Sequence, residues 1–333
     1  MKILIINSVS SQESLLVSPL LRVLKTELGA ETHLVIHEKN RNPFQLNPYL
    51  DKVYLSTQSP FQLRKDLKKE HFDYTVDLRN SSYSVILRLG VSKKTLVFNN
   101  RRFKRWLYSK TKLNLLPTKH KVDQYVDLLK PLGIKGDNLG IDFFLPEKDF
   151  VENDWLPDSH QNGYVAIAIE GSYYTKKLPV NRLIELCDRI NKPIILIGDS
   201  QDVAVADEVE LFFQPGSKEE EQEIEKLNKK TVIFSACGKF NFNQSASIIK
   251  QANWVFTYDN QMMHVAAAFK KRIYTIWGSS SPLFGTYPYR TQFTVFENNK
   301  LSCRPCSIDG YENCPKGHFQ CMNDLNFDFY LPD

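Results

Sequence analysis

Three groups of residues in this chain have the types and spacing to do chemistry. The first is Asp259-Asn260-Gln261, followed by an apolar run from Met262 to Phe269 that only His264 interrupts. Asn253 to Thr257 read as a short buried strand before it, and Arg272 to Gly278 as the next strand after it. Asp259 or Asn260 is the expected helix N-cap. Such a β-α-β unit aims free N–H groups and a helix dipole at the space above the sheet, which suits an anion. His264, one turn inside, is either a satisfied core histidine or a group close to what binds there.

The second group is basic. Leu78 to Val122 contains twelve lysines and arginines and no acid. Arg79 follows Asp77, where a strand is expected to end at the ligand-binding edge of an α/β sheet. Arg101 and Arg102 open a stretch, 99–121, that mixes cations with Phe103, Trp106 and Tyr108. Nucleic-acid binding, a membrane-surface element, a pocket for an anionic acceptor and a plain solvated face all fit such a run. Residues 1–150 carry 25 basic against 15 acidic side chains, a net +10, and the remainder 18 against 23, a net −5. That asymmetry points to an anionic partner for the first half.

The third group is Cys303, Cys306, Cys314 and Cys321, within 19 residues. Thiolates this close in a cytosolic chain fit a structural zinc better than disulfides, with His318 as a spare ligand. Free or paired cysteines that staple the segment are the other reading.

The elements that position these groups follow from periodicity. Strands are expected at 2–7, 32–36, 53–55 and 74–77, and a helix at 15–28 with Gly29 as its C-cap. The first β-α turn lacks G-x-G-x-x-G, so the dinucleotide fingerprint is absent. Another helix is expected at 120–132. Residues 145–162 are polar, contain prolines and have no period, and they read as a linker. Strands at 164–169, 192–197 and 231–234 and helices at 180–190 and 244–252 then lead into the opening stretch. The chain is therefore α/β, with one domain over 1–150 and a second over 160–333. No apolar run approaches the roughly 18 residues that span a bilayer. MKILIINS reads as a strand, which leads us to expect a cytoplasmic protein.

Several pieces, in order, resemble glycosyltransferase family 9, the lipopolysaccharide heptosyltransferases and their relatives. They are MKILIINS and SPLLRVLK; His120, Tyr125, Leu129 and Gly133; GSYYTKKLP from Gly171; ACGKF from Ala236; Asp259 and His264 with Ala266-Ala267-Ala268; WGSSSP from Trp277; and the terminal CRPC…CPKGH…CM. The resemblance implies a GT-B fold, two Rossmann-like domains facing a cleft, and inverting sugar transfer with no metal required for catalysis. It implies a nucleotide-diphosphate sugar donor, ADP-heptose in the family, on the second domain, at Gly171, Ser172, Thr175, Lys176, Asp259, Asn260, Gln261 and His264. It implies an anionic lipid-linked glycan acceptor on the first domain, at Ser10, Arg79, Arg101, Arg102 and His120. Work at the inner face of the cytoplasmic membrane, bound peripherally and with no nucleic-acid partner, is the matching expectation.

Glu13 matches the family's catalytic base, an aspartate in a Gly-Asp pair, here Gln12-Glu13. Two further departures from the family pattern fall on the donor side. Gln261 replaces a glycine that lets phosphate reach backbone amides, and Glu170 stands where a neutral residue is common. A changed donor would look like this. So would a catalytically impaired relative that binds a glycolipid or a partner protein.

Overall fold

The strongest apolar runs of the sequence become parallel strands covered on both faces. The computed structural model describes residues 1–8, 12–217, 226–227 and 229–332. β1 (Lys2–Asn7), β2 (Glu31–Ile36), β3 (Lys52–Leu55), β4 (Phe72–Asp77) and β5 (Ser92–Val97) form a sheet in the order β3-β2-β1-β4-β5. All its pairings are parallel. Ile3, Leu4, Ile5 and Ile6 are fully buried, the mark of a strand with helices on both faces. Around it lie α1 (Ser18–Leu28), α2 (Pro60–Lys68), α3 (Ser82–Arg88) and α5 (Lys121–Leu128); α4 (Arg102–Thr111) falls between α3 and α5 in sequence.

The second sheet, also parallel, runs β11-β10-β9-β6-β7-β8. Its strands are β6 (Val165–Ala168), β7 (Ile194–Ile197), β8 (Ile233–Ser235), β9 (Trp254–Tyr258), β10 (Ile273–Trp277) and β11 (Phe293–Glu297). Its helices include α6 (Val180–Ile190), α7 (Val203–Phe212), α8 (Phe242–Gln251) and α9 (Gln261–Ala268). Phe256 and Tyr274 stack at 4.5 Å between ring centroids, Phe296 continues the stack, and Phe327 and Phe329 of the C-terminal tail close over it.

Two compact units result, neither continuous in sequence. One comprises Met1–Lys104, Leu116–Phe144 and Gly285–Arg290; the other Arg105–Leu115, Leu145–Phe284 and Thr291–Asp333. In the first, Lys121 N donates to Gly285 O at 2.9 Å and the Tyr289 hydroxyl to Asp123 at 2.6 Å. In the second, Tyr108 meets Phe284 edge-on, and Lys112 Nζ donates to the carbonyls of Cys303 and Pro305. The stretch read as a linker is packed onto α8. Val151 N donates to Ser247 Oγ at 2.9 Å, and the Asp149 carboxylate takes the amides of Asn241 and Asn243. Two strands, β5 and β11, were not expected from the sequence. Both are edge strands; β5 exposes Lys93 and Lys94, as an edge guarded against further pairing does, so its apolar period is weak.

In each sheet the strand order reverses once, between β1 and β4 and between β6 and β9. Doubly wound sheets bind ligands at the carboxyl edge beside that reversal. Glu13 and Arg79 follow β1 and β4; Lys176 and Asp259 follow β6 and β9.

The 137–142 segment is fastened to α1 through Arg22. This buried guanidinium donates to Asp137 (2.6 and 3.0 Å) and to Gly140 O (2.9 Å), and pairs with Asp142. Arg22→Met should destabilise the first unit by about 2–4 kcal/mol, because two part-buried carboxylates lose their cation. Partial burial works against ionisation of Asp137, yet the Arg22 hydrogen bond holds its carboxyl below the ordinary value. That stability is present above pH ~4 and is lost as pH falls through the lowered value. Acid should therefore weaken Arg22→Met less than the parent, as unfolding midpoints at pH 7 and pH 3 would show.

Candidate functional site

In the first unit the chain returns from β1 through Gln12 and Glu13 into the 3-10 turn Ser14–Val17, and Leu16 N donates to Glu13 O at 3.1 Å. The Glu13 side chain keeps about a fifth of its surface and is ion-paired with Lys121, the first residue of α5, whose own side chain is buried. Arg79 Nη1 lies 3.9 Å from the same carboxylate oxygen. Arg79 is placed by Asp77 at the end of β4. This fully buried carboxylate accepts from Arg79 N and Asn80 N, each at 2.9 Å, and pairs with Arg88 at 3.0 Å. Arg102 Nη2 donates to Arg79 O at 3.4 Å, and Arg101 Nη1 to Gln124 Oε1 on α5. The Glu13 carboxylate thus sits between Lys121 of α5 and Arg79 just after β4, with Arg102 bound in turn to the Arg79 carbonyl.

His120 is engaged within the first unit. It is the N-cap of α5, its Nδ1 accepting from Val122 N at 3.1 Å, while Nε2 lies 2.9 Å from Tyr287 O and the ring stacks on Tyr289. Its work in the structure is to fix the α5 start, which brings Lys121 to Glu13. Ser10 lies outside the described residues.

In the second unit Asn260 is the N-cap of α9. Its Oδ1 accepts from Met263 N at 3.0 Å and from Thr257 Oγ1 at 2.9 Å, and its Nδ2 donates to Glu170 O at 3.0 Å. Asp259, just ahead, receives Lys176 Nζ at 2.7 Å and Ser280 Oγ at 3.2 Å on the same oxygen. Lys176 is 4% exposed, so its ammonium is already placed at the strand edge. Gln261, the first residue of α9, is half-buried, and His264 is buried one turn on. Thr175 is a fastener: its hydroxyl meets Ser279 Oγ at 2.9 Å and exchanges hydrogen bonds with the Tyr311 backbone at 2.8 and 3.0 Å. Gly171 lies against the Lys177 stem, which a Cβ there would meet at 3.0 Å, and Ser172 is exposed.

Glu170 turns toward α9. Burial, Asp199 and Asp202 push its carboxyl up to about 7, against a hydrogen bond from Met262 N–H and the charge of Lys177. Lys177 is paired with Asp202 at 2.7 Å, and burial raises that aspartate despite the pair.

Sequence reasoning did not single out Lys121, Ser279, Ser280 or Arg304. Lys121 was one of twelve cations in an acid-free run, and only its position just after the α5 cap distinguishes it. Arg304, buried, donates to Gly278 O and to Ser280 O and pairs with Glu297 at 3.0 Å, so it clamps the loop that holds Asp259 and Thr175. This clamp is the visible work of the cysteine segment. Among the described residues no three His, Cys, Asp or Glu side chains are grouped as a metal ion requires. Cys303 Sγ lies 3.8 Å from His318 Nε2. As placed, these residues do not fit the expected zinc. A pocket of about 310 Å³, lined by Arg22, Lys119, Asp123, Asp137 and Arg290, lies beside α1 and α5 and includes none of the residues at the sheet reversal.

Comparison with known proteins matches residues 61–313 to glycosyltransferase family 9 (heptosyltransferase). No curated protein matches the sequence. Among solved structures, a family 9 glycosyl transferase from Veillonella parvula DSM 2008 aligns with a TM-score of 0.69 at 18% identity, over 88% of this chain and 86% of that one. The E. coli ADP-heptose lps heptosyltransferase II aligns at 0.65 and 16%, over 97% and 98%. E. coli heptosyltransferase WaaC, solved with ADP, aligns at 0.60 and 16%, over 89% and 93%. At such identities the likeness shows the fold, and the fold is GT-B, two Rossmann-like units.

A Cβ on Gly278 would stand 2.5 Å from Thr175 O and 2.6 Å from Met322 Cε. Gly278→Ala should therefore cost about 1–3 kcal/mol through overpacking, read as a lowered thermal midpoint. Unchanged stability would mean that the 171–179 loop yields freely, contrary to the fastening described above.

Proposed function

The chain belongs to glycosyltransferase family 9, and from that premise we propose that it transfers heptose from ADP-heptose, with inversion, to an anionic lipid-linked core-type glycan. The observation that carries this reading is the buried Lys176 ammonium held 2.7 Å from Asp259 at the start of α9. An ammonium and a helix N-terminus together suit a diphosphate that gains charge as it leaves. Solved relatives named for ADP-heptose, or holding ADP, support the donor class.

In the proposed reaction Glu13 takes the proton of the acceptor hydroxyl. The hydroxyl oxygen then bonds to the anomeric carbon on the face opposite the diphosphate. The carbon–oxygen bond to the diphosphate breaks, and the nucleoside diphosphate departs with its electron pair, stabilised by Lys176 and the α9 N-terminus. Lys121 and Arg79 hold the Glu13 carboxylate in place. Arg79, Arg101 and Arg102 supply the positive surroundings an anionic acceptor seeks.

The acceptor's lipid would bring the protein to the inner face of the cytoplasmic membrane. The exposed side chains of α4 and the segment after it, Phe103, Trp106, Leu113 and Leu115 among Arg102, Lys104 and Lys110, have the chemistry of an element that rests on an anionic bilayer.

With ADP-heptose and a lipid-linked acceptor, ADP release should fall about 10²–10³-fold in Lys176→Ala and about 10²–10⁴-fold in Glu13→Gln. Full turnover in Lys176→Ala would sink the donor assignment, and full turnover in Glu13→Gln the base. For the membrane reading, cosedimentation with anionic phospholipid vesicles should weaken in Phe103→Ala/Trp106→Ala and with added salt. Equal binding by parent and variant would remove α4 from that role.

A further inference from the structure

The amide a donor phosphate would seek at the start of α9 is already held by an anion of the chain itself. Glu170 follows β6 by two residues, and its carboxylate takes the Met262 N–H. The next amide, Met263 N, is bound by Asn260 Oδ1 at 3.0 Å. Asn260 also grips the Glu170 carbonyl at 3.0 Å, so the residue that caps the helix sets where Glu170 stands. The two neighbouring lysines are drawn to other acids, Lys176 to Asp259 and Lys177 to Asp202, both at 2.7 Å. The charged groups that face the Glu170 carboxyl are Asp199 and Asp202, from the segment between β7 and α7, which disfavour its charge, and Lys177, from the loop after β6, which favours it; α9 contributes the Met262 amide.

We propose that Glu170 is an internal competitor for the donor diphosphate, holding the Met262 amide until the nucleotide displaces it. The inference rests on the nucleotide-diphosphate donor proposed above. Two negative groups at one amide repel each other, so the diphosphate binds best when the Glu170 carboxyl is protonated or turned aside. Donor binding is thereby linked to uptake of up to one proton. Its sign is fixed: affinity is highest at low pH and falls as pH rises through the Glu170 range, near 7. Glu170 is thus a residue that sets donor affinity rather than one that touches the reacting atoms.

The test is titration calorimetry of the full chain with ADP at pH 6 and pH 8, in pairs of buffers with different ionisation enthalpies, on the parent, Glu170→Gln and Lys176→Ala. Each protein's fold is checked by circular dichroism. Between pH 6 and pH 8 the rise in Kd should be about tenfold larger in the parent than in Glu170→Gln, a comparison that cancels the nucleotide's own titration. At pH 8 ADP is already deprotonated, so proton uptake by the parent alone, approaching one proton, reports the protein; it should vanish in Glu170→Gln. ADP binding to both with the same pH dependence and no proton uptake would overturn the role of Glu170 and leave the donor site standing, with Lys176→Ala still weaker. If neither parent nor Glu170→Gln binds ADP at either pH, the donor reading fails and this inference with it.

Discussion

Asn260 holds together the parts of the second unit that carry its chemistry. One buried amide accepts from the α9 backbone and from Thr257, and donates to the backbone where the chain leaves β6. It therefore fixes two strand ends and a helix start that lie about ninety residues apart in sequence. Each bond contributes only about 1 kcal/mol net, but removing the amide would leave several buried partners unsatisfied, at about 1–3 kcal/mol each. Asp259, Gln261 and Glu170 take their positions from this one side chain, and Lys176 takes its own from Asp259.

Charge is arranged in opposite senses in the two units. In the first, a single carboxylate, Glu13, is set among cations, and Asp77 orients the nearest arginine through its backbone. In the second, the lysines at the sheet edge are engaged by acids, and a further acid, Glu170, faces the helix start. A charge count along the chain describes the first arrangement well, since the acid-free run contains the partners of Glu13. It misses the second, because Lys177 and Asp202 cancel in any sum, while Glu170's own burial and the Asp199 and Asp202 charges raise its carboxyl against the pull of Lys177.

The lower-ranking features of the sequence divide instructively. The CRPC…CM segment looks like a metal motif by spacing, but its fold-level role is borne by Arg304, an ordinary-looking residue inside it. His120 looks like a ligand-binding residue by family position, and in the structure its Nδ1 caps α5 while its Nε2 meets the Tyr287 carbonyl.

By itself the sequence determined the α/β class, most of the strands and helices and the caps at Gly29 and near Asn260, because these depend on apolar period and on contacts within a turn or two. It also named the family, through short motifs kept in order. The edge strands β5 and β11 escaped it, since exposure erases the apolar period that marks a strand. Only the tertiary structure decided which cation meets Glu13, a pairing across 108 residues, and that the lysines of the GSYYTKKLP loop are bound to Asp259 and Asp202 while Glu170 takes the helix amide. Such pairings are set by strand order and by the closure of long loops, and no local pattern of residues encodes them.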